Sequence, residues 1–213
     1  MLGFFKKREP DSLTSKSVYY ERECVVNTVT DLFLLLSDIK DFEYRNTNVP
    51  ITISNIPLNG INTKQVKKIL DTPKYIFNNN DNIEGHSVLF YKEEADIYRF
   101  LIQFHFINDK LFFVANKIYT GMSLSHNNKV LIVKQLAKKY LNLDDFDVPG
   151  DYGIFIRDNN NNKLFTRDGV YFFVNYITGD NVIDELYEKY TFVGNELKKN
   201  KDDTFNKSLD KFL

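Results

Sequence analysis

Apolar residues recur along this chain at two spacings, and the switching between them divides it into helices and strands. From about residue 30, Leu32, Leu35, Leu36 and Ile39 follow the i, i+3, i+4, i+7 spacing of an amphipathic helix. Asp31 near its start complements the helix dipole. Before it, residues 17–26 are compatible with a strand, and residues 1–16, polar after the first five and carrying Pro10, read as a loose arm. Residues 49–54 alternate Ile51 and Ile53 with Thr52 and Ser54, a short strand that Pro50 puts at an edge or a strand start. The best-specified element follows the Asn59-Gly60 turn signal. Asn62 as N-cap and Gln65 three residues on complete a capping box. Val66, Ile69 and Leu70 line one side, with Lys64, Lys67 and Lys68 around the rest. Pro73 ends this helix, because proline disfavours helical geometry in the residue before it.

Beyond an Asn-rich loop around residues 78–82 the period drops to two. Strands are expected at 87–91, 98–107 and 111–115, the last two separated by Asn108-Asp109. In the middle strand Phe100, Ile102, Phe104 and Phe106 share one face and should meet the core. Leu101, Gln103, His105 and Ile107 share the other, mixed face, the one open to a partner. A helix is expected at 128–141 on the stripe of Val133, Leu136, Ala137, Tyr140 and Leu141. An acidic loop at 144–147 leads to Pro149-Gly150, then to a strand at 152–157 and a polar loop at 158–162. A strand at 170–177 follows the Asp168-Gly169 turn signal, and short helices are expected at 182–190 and 203–212. Short turns between strands imply antiparallel pairing. The expected class is therefore α+β, with helices packed on one face of a mainly antiparallel sheet. The helix-then-strands order occurs twice, giving an arm at 1–16, one unit at 17–120 and a second at 121–213, the two sharing one core.

Composition narrows the function classes. The 43% hydrophobic content belongs to a globular chain, and the abundance of aromatics, 19 Phe and 13 Tyr, favours sheet. With 28 basic and 29 acidic residues there is no excess of positive charge for a nucleic acid to neutralise. Cys24 is the only cysteine, so no internal disulfide forms and a reducing, cytoplasmic setting is expected. The N-terminal apolar residues precede Lys6, Lys7 and Arg8, the reverse of a secretory signal, and no run approaches a membrane span.

The segment from Gly60 through Asn62, Val66 and Leu70 to Pro73 resembles the opening motif of SmpA/OmlA-like domains, which share a helix-plus-sheet architecture with β-lactamase inhibitor proteins. Asp71 stands where that pattern has glycine. The strands that end in residues 106–111 are similar to the family's closing hairpin, so the resemblance covers about residues 58–116. It implies a sheet surface that contacts another protein, with no chemistry of its own. Exported members are anchored through a cysteine after an apolar signal. Cys24 instead follows Glu21-Arg22-Glu23, so that anchoring is not implied here.

No chemical constellation is complete in this sequence. His86, His105 and His126 are widely spaced, with no i, i+4 pair and no second cysteine to make a zinc site. Cys24 lacks a nucleophile motif and reads as a buried, inert thiol. Residues 158–162 begin like a calcium loop, but Lys163 and Gly169 stand where glycine and glutamate are required. Glu93, Glu94 and Asp96 read as a solvated loop, and Lys129, Lys134, Lys138 and Lys139 as a solvated helix side. No phosphate-binding glycine loop or nucleophile elbow occurs, so neither a metal nor a cofactor is expected. The expected function is a non-enzymatic protein-binding module, an inhibitor or immunity-type protein being one version. Gln103, His105, Tyr171 and Asn175 are the contact candidates on an exposed sheet face. The alternative is an enzyme or small-ligand carrier with a pocket built from distant residues.

Overall fold

The computed structural model describes residues 13–121 and 123–190. The arm's first twelve residues and the helix expected at 203–212 lie outside the described residues. Eight strands form one sheet in the order β1-β8-β9-β10-β7-β6-β5-β4. They are β1 (Arg45–Thr47), β4 (Tyr75–Asn78), β5 (His86–Ala95), β6 (Tyr98–Ile107), β7 (Lys110–Tyr119), β8 (Phe155–Asp158), β9 (Lys163–Arg167) and β10 (Phe172–Ile177). All neighbours pair antiparallel except β1 and β8, which run parallel. A separate hairpin joins β2 (Thr52–Ile53) to β3 (Ile56–Pro57). The fold is thus α+β, helices packed against a mixed, largely antiparallel sheet. Strands from both halves of the chain meet where β7 pairs with β10.

The helices lie on both faces of that sheet, where the hydrophobic pattern had predicted one. Val66 of α3 (Thr63–Leu70) and Val133, Ala137 and Tyr140 of α4 (His126–Leu141) pack in one cluster with Ile102, Phe104 and Phe106 of β6. This is the face predicted to meet the core. Leu32, Leu35, Leu36 and Ile39 of α2 (Val29–Asp41) pack on the opposite face, against Phe113, Ala115 and Phe165. Residues 182–190 are helical and add Val182 and Leu186 to this second cluster. The physical reason lies in β7. Phe106 pairs with Leu111 but His105 pairs with Phe113, so Phe112 is an extra residue at a bulge. Phe112 and Phe113 therefore both join the α2 cluster, while Leu111 and Val114 join the other. A strand so apolar on both sides requires a layer over each.

Residues 17–26, expected to be a strand, fall mostly in a helix, α1 (Leu13–Glu23). Propensity favoured extension because Val18, Tyr19 and Tyr20 are β-formers, but packing decided otherwise. Tyr20 is buried and stacks on Tyr75 at 4.8 Å, with Phe90 at 4.9 Å. The helix at Thr63–Leu70 has the predicted capping box: Asn62 Oδ1 accepts from Gln65 N at 3.0 Å and Gln65 Oε1 accepts from Asn62 N at 2.9 Å. A second box of the same kind, Thr28 with Asp31, starts α2. Strands β1 and β4, at the two edges of the sheet, and the five-residue β9 inside it were missed because such short segments lack a sustained period. No helix among the described residues is long and apolar enough to cross a membrane.

The polar loop at 158–162 is a hairpin turn organised by one buried carboxylate. Asp158 Oδ1 accepts from Asn160 N and Asn162 N at 2.8 and 2.9 Å. Its Oδ2 accepts from Ile51 N and Asn162 Nδ2 at 2.8 and 3.0 Å, tying this turn to the β2–β3 hairpin. Asn162 Oδ1 in turn accepts from Gly179 N at 2.9 Å. A Cβ on Gly179 would lie 1.9 Å from Asn160 O, so that backbone approach needs glycine. Removing the carboxylate leaves buried donors unsatisfied. Asp158→Ala is expected to cost about 3 kcal/mol or more in urea unfolding, against less than about 0.5 kcal/mol for Asn159→Ala on the exposed side of the same turn.

Candidate functional site

Three of the four predicted contact residues do share a sheet face, but that face is covered. Gln103 and His105 are fully buried and Asn175 nearly so, while Tyr171, in the turn before β10, is 38% exposed. The predicted exposure of Gln103, His105 and Asn175 is therefore corrected. The cause is the layer just described: α1, α2 and the linker between them need an apolar surface, and Leu101, Phe113, Ala115 and Phe165 supply it.

Several buried polar residues on this face have a definable task. Gln103 clamps the α1–α2 linker to the sheet: its Nε2 donates to Glu23 O at 2.7 Å and its Oε1 accepts from Val25 N at 2.9 Å. A side-chain amide thus replaces a missing strand partner for two backbone groups. Beside it Lys117 Nζ bonds Glu23 Oε2 at 2.6 Å and sits 3.4 Å from the centroid of the Tyr171 ring. Tyr171 thereby covers an ion pair that is itself mostly shielded from water. Cys24 lies in the same linker, its Sγ donating to Val26 O at 3.2 Å. Burial pushes the thiol up to about 12, which favours its protonated form at neutral pH.

The histidines read as widely spaced are in two cases neighbours. In the β5–β6 register Val88 pairs with His105 and His86 with Ile107, which makes His86 and His105 diagonal partners on one face. Their rings stack at 5.3 Å with His86 Nε2 3.1 Å from His105 Nδ1. Proton positions follow from one backbone carbonyl. Asn27 O can only accept, so Asn79 must present its Nδ2 there, at 2.9 Å. The same nitrogen lies 2.9 Å from His86 Nδ1, which therefore accepts. His86 Nε2–H then donates to His105 Nδ1, leaving the proton of His105 on Nε2, a buried atom without a partner. Counting outward from the Asp96-Ile97 turn would have placed these two rings together; that register signal was present but unused.

His126 lies elsewhere, on the α3–α4 side of the sheet, with its Nδ1 2.7 Å from Tyr152 Oη. Three of the four lysines of α4 face carboxylates: Lys129 meets Asp168 and Lys138 meets Asp144, each at 2.8 Å, and Lys134 meets Asp145 at 3.8 Å. The acidic loop therefore offsets the basic helix side. No cluster of three or more metal-ligating side chains occurs among the described residues.

One cavity opens on the α2 side of the sheet. It measures about 150 Å3 and is assembled from five separate segments, among them Val25 and Val26 of the linker, Leu35 of α2, Phe113 of β7, Phe165 of β9 and Asn175 of β10. Asp31 and Arg167 also line it. Asn175 Oδ1 is buried and unpartnered. Comparison with protein-family models, curated proteins and solved structures yields no match to this chain.

The histidine pair makes stability depend on pH. Burial holds His86 down to about 4, and burial together with the neighbouring His86 holds His105 well below the ordinary histidine value. The unfolded chain takes up these protons near pH ~6.5, before the native state does. The pair's contribution is thus fully present above that pH and is lost as pH falls towards about 4. Urea unfolding should show a loss of about 1.4 kcal/mol per pH unit for each proton taken up. His105→Phe should flatten the profile over this window; an unchanged slope would show that other groups govern it.

Proposed function

We propose that this protein is a non-enzymatic binding module that engages another protein, in the cytoplasm, with an inhibitor or immunity-type role as one version. The contact surface we assign is the end of the sheet where two hairpin tips sit side by side. Arg99 pairs with Tyr119, and Ile118 with Phe172, so the β5–β6 turn and the β9–β10 turn share that end. The observation that carries the reading is what these tips expose. Val170 is 81% exposed, Ile97 55%, and Tyr171 stands beside Val170. Turn positions ordinarily take small polar residues, and apolar groups gathered at one end of a sheet fit an interface better than a solvated turn. Tyr171 supplies rigid amphipathic area over the Lys117–Glu23 pair, which suits an interface anchor. On this reading Gln103 acts from beneath, by holding the layer that frames the tips.

We carry the likeness of residues 58–116 to SmpA/OmlA domains forward as part of the same proposal. A capped α3 followed by the antiparallel run β4–β7 is in keeping with it. The alternative, a small-ligand carrier with a pocket built from distant residues, has the cavity under α2 in its favour.

Affinity capture from native cells, followed by binding measurements with each identified protein in purified form, tests the leading reading. Val170→Ser with Tyr171→Ala should weaken the partner at least about tenfold, as loss of an anchor does. Ile69→Ser, on the exposed side of α3, should leave it unchanged. Retention by the tip variant, or equal loss in both variants, would sink the assignment.

A further inference from the structure

We infer that the cavity beneath α2 is a binding site for a small, neutral aromatic molecule carrying one hydrogen-bond donor, of the size and chemistry of a phenol. This goes beyond the protein-contact surface and does not involve the hairpin-tip residues Ile97, Val170 and Tyr171.

Size, lining and polarity each constrain the occupant. A volume of about 150 Å3 is that of an apolar protein cavity able to hold a benzene-sized ring. Its floor is the sheet, where Phe113, Phe165 and Phe173 offer three aromatic surfaces, and edge or offset contacts among rings add to their apolar burial. Val26 and Leu35 close it from above. A long or branched ligand does not fit this space, whereas one flat ring does.

The polar constraint is Asn175. It is 4% exposed, it lines the cavity, and its Oδ1 has no hydrogen-bond partner. An unsatisfied buried carbonyl oxygen is destabilising, and leucine, of similar size, would fill the position without that cost. A ligand hydroxyl donating to Oδ1 would satisfy it. The remaining charged groups in the lining are largely engaged already. Arg167 is paired with Asp38, and Asp31 Oδ2 accepts from Asn27 N and Thr28 N at the α2 capping box. A charged ligand would therefore compete with existing bonds, and a neutral one does not. The way in is at Leu34, which lines the cavity and is 46% exposed, in contrast to the buried Phe113 and Phe165 at the floor.

Phenol, benzene and benzaldehyde serve as probes, titrated into the full chain and followed by NMR and calorimetry. Phenol should bind saturably, with a dissociation constant on the order of 1 mM as befits so few atoms, and should shift the Asn175 side-chain amide resonances. Benzene, lacking the donor, should bind roughly fivefold more weakly, the net worth of one hydrogen bond. Benzaldehyde, which only accepts, should be no better than benzene. Asn175→Leu should abolish the preference for phenol and raise the unfolding temperature. Leu34→Trp, an exposed-site change that occupies the mouth, should remove phenol binding while leaving the circular dichroism spectrum unchanged. Absence of saturable phenol binding, benzaldehyde binding as tightly as phenol, a phenol preference that survives Asn175→Leu, or undiminished binding in Leu34→Trp would each overturn the inference. None of these outcomes bears on the hairpin tips, so the two readings fail separately.

Discussion

Strand β7 has no solvent-facing side through its middle, where residues 111–115 are all buried, and the rest of the molecule is arranged around that condition. An antiparallel sheet commonly leaves one face wet. Here the bulge at Phe112 turns two successive phenylalanines towards one face while Leu111 and Val114 fill the other, so each face needs its own cover. On one side α3, α4 and the β2–β3 hairpin provide it; on the other α1 and α2 do so, together with the helix at 182–190. The chain before β1 and the chain after β10 are thereby drawn onto the same surface, although far apart in sequence.

Covering the mixed face buries polar groups that an open sheet would have left in water. A buried polar atom is costly unless bonded, and most of these are bonded in ways that also position the cover. Gln103 takes the place of a strand partner for the α1–α2 linker. Asn79 holds that same linker through Asn27 O and, by doing so, sets the tautomers of both histidines. Lys117 meets Glu23 at the end of α1. The polar residues thus specify where the helical layer sits, while its apolar residues supply the driving force. Five buried side-chain atoms among the described residues have no partner, and two of them, His105 Nε2 and Asn175 Oδ1, lie on this face of the sheet. The first is enclosed by the rings of Phe112 and Phe113, and the second lines a cavity. That difference in surroundings is why a ligand role is assigned to Asn175 and not to His105.

Charge follows a similar division of labour. Lys129, Lys134 and Lys138 of α4 face Asp168, Asp145 and Asp144, which offsets part of that helix side's positive charge. Surface pairs of this kind contribute little to stability, but they do shape what the molecule attracts. The two most exposed large apolar groups among the described residues, Val170 and Ile97, lie in turns, while Val18, Leu34, Ile69 and Leu131 stand singly on helices. Turns tolerate such residues because their backbone is set by local geometry, as at Asp96 with φ 54°, and not by the side chains they display.

Local rules were enough for some of this molecule. The capping box of Asn62 and Gln65, the helix stop before Pro73, the strand Tyr98–Ile107 with its all-apolar face in the core, and the polar hairpin loop at 158–162 were all legible from the sequence. Each depends on residues a few positions apart, and their physics is complete within that distance. The helix at Leu13–Glu23, the covering of Gln103, His105 and Asn175, the meeting of His86 with His105 and the cavity under α2 were not legible in that reading. They arise because β7, apolar on both sides, must be enclosed by segments up to a hundred residues distant. Side-chain periodicity tells which residues share a face of a strand, but only the packing of the whole chain decides which faces water keeps.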